Sequence, residues 1–186
     1  MLAAAEALYL KGGLAVLSGL MVFDRERRNI ETGQGWAVGC VADDRAAAGL
    51  CVGYALRGAH TLHLRQHPRQ RIGWLERAAT AAPKIGDRRG EGAALRNLGV
   101  AYKNLGEPRR AIEFHEKHLA IAREIGDRRG EGTALGNLGN AYADLGEPHR
   151  AIGFLREALA IFEAIESPRA AQARATIAEL EKEGGT

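Results

Sequence analysis

Six histidines and a few repeated asparagines are the residues of this 186-residue chain whose types and spacing bear on chemistry. His60, His63 and His67 fall at i, i+3 and i+7, and three imidazoles on one side of a helix suit tetrahedral Zn²⁺. His67, however, precedes Pro68, which disfavours helical backbone at the residue before it and takes His67 off that face. His115 and His118 form a second pair, further along the chain. We therefore read the histidines as packing or groove-lining groups and expect no metal and no other cofactor. No serine stands in a Gly-x-Ser-x-Gly elbow, and no His-Glu-x-x-His or Gly-x-x-x-x-Gly-Lys-[Ser/Thr] stretch occurs. Glu113, Glu116 and Glu124 read as exposed helix faces. Cys40 and Cys51 lack Cys-x-x-Cys spacing and read as buried free thiols. Trp36 and Trp74 read as core. The expectation is a protein that binds and does not catalyse.

Asparagine is the better lead. Asn97 and Asn137 stand forty positions apart, and their surroundings repeat with them. A carboxamide both donates and accepts, so it matches the N–H and C=O of any peptide.

The elements that must carry these residues follow from a duplication. "GDRRGEG" occurs at 86–92 and again, unchanged, at 126–132. Rows 86–125 and 126–165 align without a gap at 26 of 40 positions. Row 46–85 is divergent but keeps Pro68 under Pro108 and Pro148, and Ile72 under Ile112 and Ile152. Within row 86–125, Ala94, Leu95, Leu98, Ala101, Tyr102 and Leu105 recur at helical spacing as one apolar stripe. Gly106-Glu107-Pro108 ends that helix and begins another, which carries Ala111, Ile112, Leu119, Ala122 and Ile125. Gly126 closes it and Asp127 is placed to cap the next helix. Gly99 and Gly139 sit in mid-helix, where a recurring glycine implies that a second helix passes too close for a Cβ. A hairpin of two such helices cannot bury its stripe alone, so the rows must stack.

Leu95/Leu98/Gly99/Tyr102, Gly106 and Ala111, with Leu135/Leu138/Gly139/Tyr142, Gly146 and Ala151, resemble tetratricopeptide repeats. The forty-residue period is similar to that of kinesin light chain and Pins/LGN repeats. The resemblance implies an all-α, right-handed α-solenoid of stacked antiparallel hairpins. It divides the chain into an N-terminal helical segment (1–45), three repeats (46–85, 86–125, 126–165) and a capping helix with a polar tail (166–186). It further implies a concave face lined by the first helix of each hairpin, on which an extended peptide or a partner's helix docks. Carried over by position, the peptide-binding residues are Arg96, Asn97, Lys103, Asn104, Asn137, Asn140, Arg57 and His60. Arg96 and Lys103 would add a carboxylate contact.

In residues 1–45 the pattern predicts helices broken near Gly12-Gly13 and again before Asp24. Leu20, Val22, Phe23, Ile30, Trp36 and Val38 are expected to pack inward. The segment resembles the part that joins nucleotide-binding modules to repeat arrays in bacterial NB-ARC/STAND ATPases. That implies an alternative role, as the sensor or oligomerisation arm of such a protein. Bulk properties narrow the partners. A formal net charge of +3 with no polybasic run disfavours nucleic acid. The apolar start is interrupted by Glu6 and Lys11 and lacks a basic leader, which argues against a signal peptide or membrane span. The expected setting is cytoplasmic, with protein or peptide partners and possible self-association through the array ends.

Overall fold

In the duplicated rows, three-residue joints alternate with helices of equal length. The computed structural model describes residues 2–12, 14–42, 44–57, 62 and 64–183. Its helices are α1 (Leu2–Leu10), α2 (Leu14–Cys40), α3 (Arg45–Leu56), α4 (Pro68–Ala81), α5 (Arg88–Asn104), α6 (Pro108–Glu124), α7 (Arg128–Asp144), α8 (Pro148–Ala164) and α9 (Arg169–Glu183), with a short 3₁₀ turn at Ala82–Ile85. Among the described residues there is no strand, and no helix is long and apolar enough to cross a membrane. The helices fall into two compact units, residues 1–94 and 95–186.

Helices α5 to α8 each run 17 residues, α5 spanning the division between the units and α6 to α8 lying in the second. The joint at Gly126 shows how the chain is turned. Gly126 takes φ 68°, which a side chain resists, and the Asp127 N–H bonds the Ala122 carbonyl at 2.8 Å. The Asp127 carboxylate then accepts from the Gly130 N–H at 2.8 Å, an N-cap worth about 1 kcal/mol. The same cap occurs earlier, where Asp87 accepts from the Gly90 N–H at 2.7 Å. Before α9 the joint is repeated without its glycine. Glu166 sits at φ 52° and the Ser167 N–H bonds the Phe162 carbonyl at 2.8 Å, a backbone strain of about 1 kcal/mol.

These joints fold α6 to α9 around one apolar cluster that includes Ile112, Leu119, Leu135, Leu138, Tyr142, Leu155, Phe162, Ile177 and Leu180. Gly139 lies where a Cβ would stand 2.6 Å from Leu155 Cγ and 3.1 Å from the Ala151 carbonyl oxygen. At Gly99 a Cβ would collide with the His115 ring. Each mid-helix glycine therefore marks a close helix crossing. A Tyr–Phe stack is also repeated: Tyr102 lies on Phe114 (5.2 Å) and Tyr142 on Phe154 (5.3 Å). Arg110 and Arg150 cover the tyrosines, each 3.9 Å from the ring centre. Leu105 departs from the expected stripe. It ends α5 at the joint and is 38% exposed.

In the first unit α1 packs on α2, α2 on α3 and α3 on α4. The chain does break at Gly12, with φ 72°. The expected break before Asp24 does not occur, because α2 continues to Cys40. Its buried stripe, Leu20, Phe23, Ile30, Gln34 and Ala37, stays on one helical face through that point, with a two-turn step of seven residues from Phe23 to Ile30. Asp24 instead bonds outward, to Arg65 at 3.0 Å and to Arg27 at 3.5 Å. Trp36 lies off the stripe and is 53% exposed, contrary to its reading as core. Trp74 is buried, with Tyr54 edge-on at 6.3 Å. Both cysteines are free; Cys51 is buried, whereas Cys40 is partly exposed.

Candidate functional site

A helix that buries Leu135, Leu138 and Tyr142 must show another face to its neighbours. On α7 that face carries Thr133, Gly136, Asn137 and Asn140, at i, i+3, i+4 and i+7. On α9 the matching set is Arg169, Gln172, Ala173 and Thr176, at the same spacing. Between the two rows lies a groove of about 230 Å³, floored by Leu155 and Phe162 of α8. Two helices thus supply polar walls to an apolar floor.

Asn137 and Asn140 line this groove together and are half-buried. No group among the described residues hydrogen-bonds their carboxamides. Other wall groups are already engaged. The Thr133 hydroxyl donates to the Arg129 carbonyl at 2.8 Å and accepts from an Arg169 guanidinium nitrogen at 2.9 Å. That bond holds the Arg169 side chain against the α7 wall, and Arg169 is the one charged residue among those lining the groove.

α5 carries four more of the expected residues. Arg96 and Asn104 are exposed, while Asn97 and Lys103 are half-buried. Lys103 is paired with Asp144 of α7 at 3.3 Å, so its ammonium is committed to a neighbouring helix. Arg96 keeps an accessible side chain. Burial of part of its guanidinium and the nearby Arg169 nevertheless lower its pKa from the ordinary arginine value, Asp127 acting in the opposite sense. It stays a cation at any physiological pH. Arg57 lies in the first unit, exposed, where its backbone N–H caps α3 by bonding the Gly53 carbonyl. There it borders a separate apolar groove of about 620 Å³ between α1 and α3. His60 and His63 lie outside the described residues.

The remaining histidine pair is core. His115 (1% exposed) and His118 (5%) hang from α6 with their Nδ1 atoms unbonded. Burial holds both pKa values down at about 4; His118 and Lys103 add to this for His115, and Arg96 does so for His118, where Asp127 opposes it. Both are neutral at pH 7. Among the described residues no group of three or more His, Cys, Asp or Glu is arranged to hold a metal.

Sequence reasoning did not place Arg169, Gln172 or Thr176 in the site. They follow residue 165, where the repeat pattern fades. The only available signal was the i, i+3, i+7 polar row flanking the apolar Ala173, Ile177 and Leu180. Taken together, the wall groups are carboxamides, hydroxyls and one guanidinium. They donate and accept hydrogen bonds and favour an anion.

Residues 90–164 match the tetratricopeptide repeat family. No curated protein matches the chain. Among solved structures, BtubC from P. vanneervenii is similar at 21% identity and TM-score 0.69, over 87% of this chain and 66% of that one. A Rap protein complexed with competence and sporulation factor is similar at 15% identity and TM-score 0.65, over 94% and 50%. A signal transduction ATPase with numerous domains from Pyrococcus horikoshii, which carries a tetratricopeptide repeat sensor, is similar at 19% identity and TM-score 0.69, over 95% and 26%. The chain spans less than two thirds of each. At these identities the likeness shows the fold: an all-α helical repeat solenoid.

Proposed function

We propose that this chain, a tetratricopeptide repeat protein through residues 90–164, holds an extended segment of a partner protein in the α7–α9 groove. The observation that carries the reading is the pair of unbonded carboxamides, Asn137 and Asn140, half-buried above an apolar floor. A half-buried amide without a partner gains more from a ligand bond than a fully solvated one, because part of its hydration is already lost. Two amides one turn apart meet successive polar groups of an extended backbone, whatever its sequence. Leu155 and Phe162 then receive the apolar part of a side chain. The groove is smaller than the roughly 300–1,000 Å³ pockets that enclose drug-sized ligands, which suits a few residues of a chain better than a large cofactor. The similar Rap structure, complexed with competence and sporulation factor, agrees with a binding role for such a fold. In this reading Asn97, Asn104 and Arg96 extend the docking face along α5. Arg57 lies in the first unit and has no part in it. The interaction is cytoplasmic and requires no cofactor.

The test is capture of the native partner from host lysate by wild type and by the Asn97→Ala/Asn137→Ala double variant. The double variant is expected to retain less than a tenth of the partner. Equal capture by both would remove the groove from the account.

A second reading, as the sensor or self-associating arm of a STAND ATPase, is favoured by a different observation. Large exposed apolar side chains concentrate in the first unit: Leu10, Leu17, Met21, Trp36, Leu50 and Leu64 there, against Leu105 in the second. Such a surface suits contact with a further domain or copy.

A further inference from the structure

The second helices of rows 86–125 and 126–165 carry the same two apolar residues, and the fold treats them differently. Ile112 and Leu119 of α6 are buried in the cluster that α7 and α8 complete. Forty residues on, Ile152 and Leu159 of α8 pack against that cluster but stay partly exposed, with α9 beside them. In the earlier row α8 itself stands next to α6, with Glu157 3.8 Å from Arg123. The open face of α8 is therefore a surface of the kind that a further helix covers.

The order of side chains on that face shows which helix fits. His149, Ile152, Arg156, Leu159 and Glu163 follow one another at steps of three and four, a single strip along α8. The strip has an imidazole near its start and a carboxylate near its end, with one apolar residue inside each. Turned end for end, it is its own complement: His149 meets Glu163, and Ile152 meets Leu159. A parallel copy would set like groups side by side. Arg156, at the middle, is already neutralised by Glu181 of α9 at 2.8 Å, so two copies of it tolerate each other near a two-fold axis. A hollow of about 350 Å³ between α8 and α9, bordered by Ile152, Arg156 and Leu180, gives an incoming leucine room.

We infer that this strip pairs with the same strip of a second copy, the two α8 helices running antiparallel about a two-fold axis. Leu159 of each copy enters the hollow beside Ile152 of the other. Such an interface is isologous and closes at two subunits, so it makes a dimer and no fibre. It uses a different face of α8 from the one that floors the α7–α9 groove, and it is independent of the docking reading. A face about 25 Å long is small beside those of stable complexes, so the dissociation constant is expected on the order of tens of micromolar.

The experiment is sedimentation velocity on the full chain from about 2 to about 200 µM, a span that brackets that constant. Wild type should pass from monomer towards dimer. Ile152→Glu and Leu159→Lys should each stay monomeric throughout. Their equimolar mixture should dimerise again, because one contact keeps Leu159 on Ile152 and the other becomes a Lys–Glu pair. His149→Glu, at an exposed site that cannot disturb the core, should weaken the dimer several-fold. Circular dichroism melts confirm that each variant is folded. A wild type that stays monomeric at the highest concentration overturns the inference. So does a dimer that ignores all three substitutions, which would place the contact on another face. Two monomeric variants whose mixture stays monomeric overturn the antiparallel pairing.

Discussion

Acidification from pH 7 to pH 4 is expected to remove several kcal/mol of stability, and His115 with His118 to account for most of it. Burial holds both imidazoles at about 4, against an ordinary value of 6.5. Between those values the unfolded chain binds more protons than the folded one, so stability falls as pH falls and is lost through that window. A displacement of this size is worth about 3 kcal/mol per imidazole. The two interact, so their protons leave in coupled steps and the total is below a simple doubling. The surroundings explain why no charge is tolerated. Gly99 abuts the His115 ring, Lys103 and Arg96 are cations, and only Asp127 offers compensation. Row 126–165 provides the control, with Leu155 and Ala158 at the corresponding positions. Urea titrations at pH 7, 5.5 and 4 check this. Wild type should lose midpoint steadily, while His115→Leu/His118→Ala should lose much less. Parallel decline of both proteins would show that other groups carry the acid sensitivity.

Leu138→Ala is expected to destabilise the fold by about 2–5 kcal/mol, since the site cannot collapse around the missing atoms. Leu138 is fully buried in the cluster joining α6, α7, α8 and α9. On one side of it Gly139 brings α8 close, and on the other Asn137 faces the groove. A loss of that size is a large share of the total stability of a small domain, about 5–15 kcal/mol. Leu105→Ala, at a 38% exposed position, should cost no more than about 0.5 kcal/mol. Denaturant midpoints with unchanged slopes give both numbers. A Leu138→Ala protein as stable as Leu105→Ala would mean that this cluster is not the core of the unit.

The helices of rows 86–165 were legible because their signals are local. Gly126 and Asp127 act within one turn of themselves, and a twofold copy of such a joint fixes where helices begin and end. The same holds for Gly99 and Gly139, whose recurrence implied a close crossing. Where burial depends on a distant element, sequence spacing was a poorer guide. Trp36 is apolar but lies off the stripe that α2 buries. Asp24 resembled a helix start, yet Arg65 is what it serves. Asn137 is expected from the repeat position it shares with Asn97, and Asn140 from the resemblance by position; both line the α7–α9 groove. Arg169 escaped notice because its counterpart by row, Arg129, is only an exposed arginine of the joint. What makes Arg169 a groove residue is the Thr133 hydroxyl, 36 residues away. Lys103 pairs with Asp144, forty-one residues on, and nothing near it in sequence indicates that partner.

The account as a whole depends on the α7–α9 groove being the surface that a partner occupies. The direct measurement is amide chemical-shift mapping of ¹⁵N-labelled protein, titrated with a synthetic peptide from the segment of the captured partner that the Asn97→Ala/Asn137→Ala variant fails to hold. The account predicts saturable shifts confined to Thr133–Asn140, Arg169–Thr176 and the α5 residues around Arg96 and Asn97. Shifts centred on α1 and α2, or on the outer faces of α6 and α8, with the groove unmoved, would contradict it.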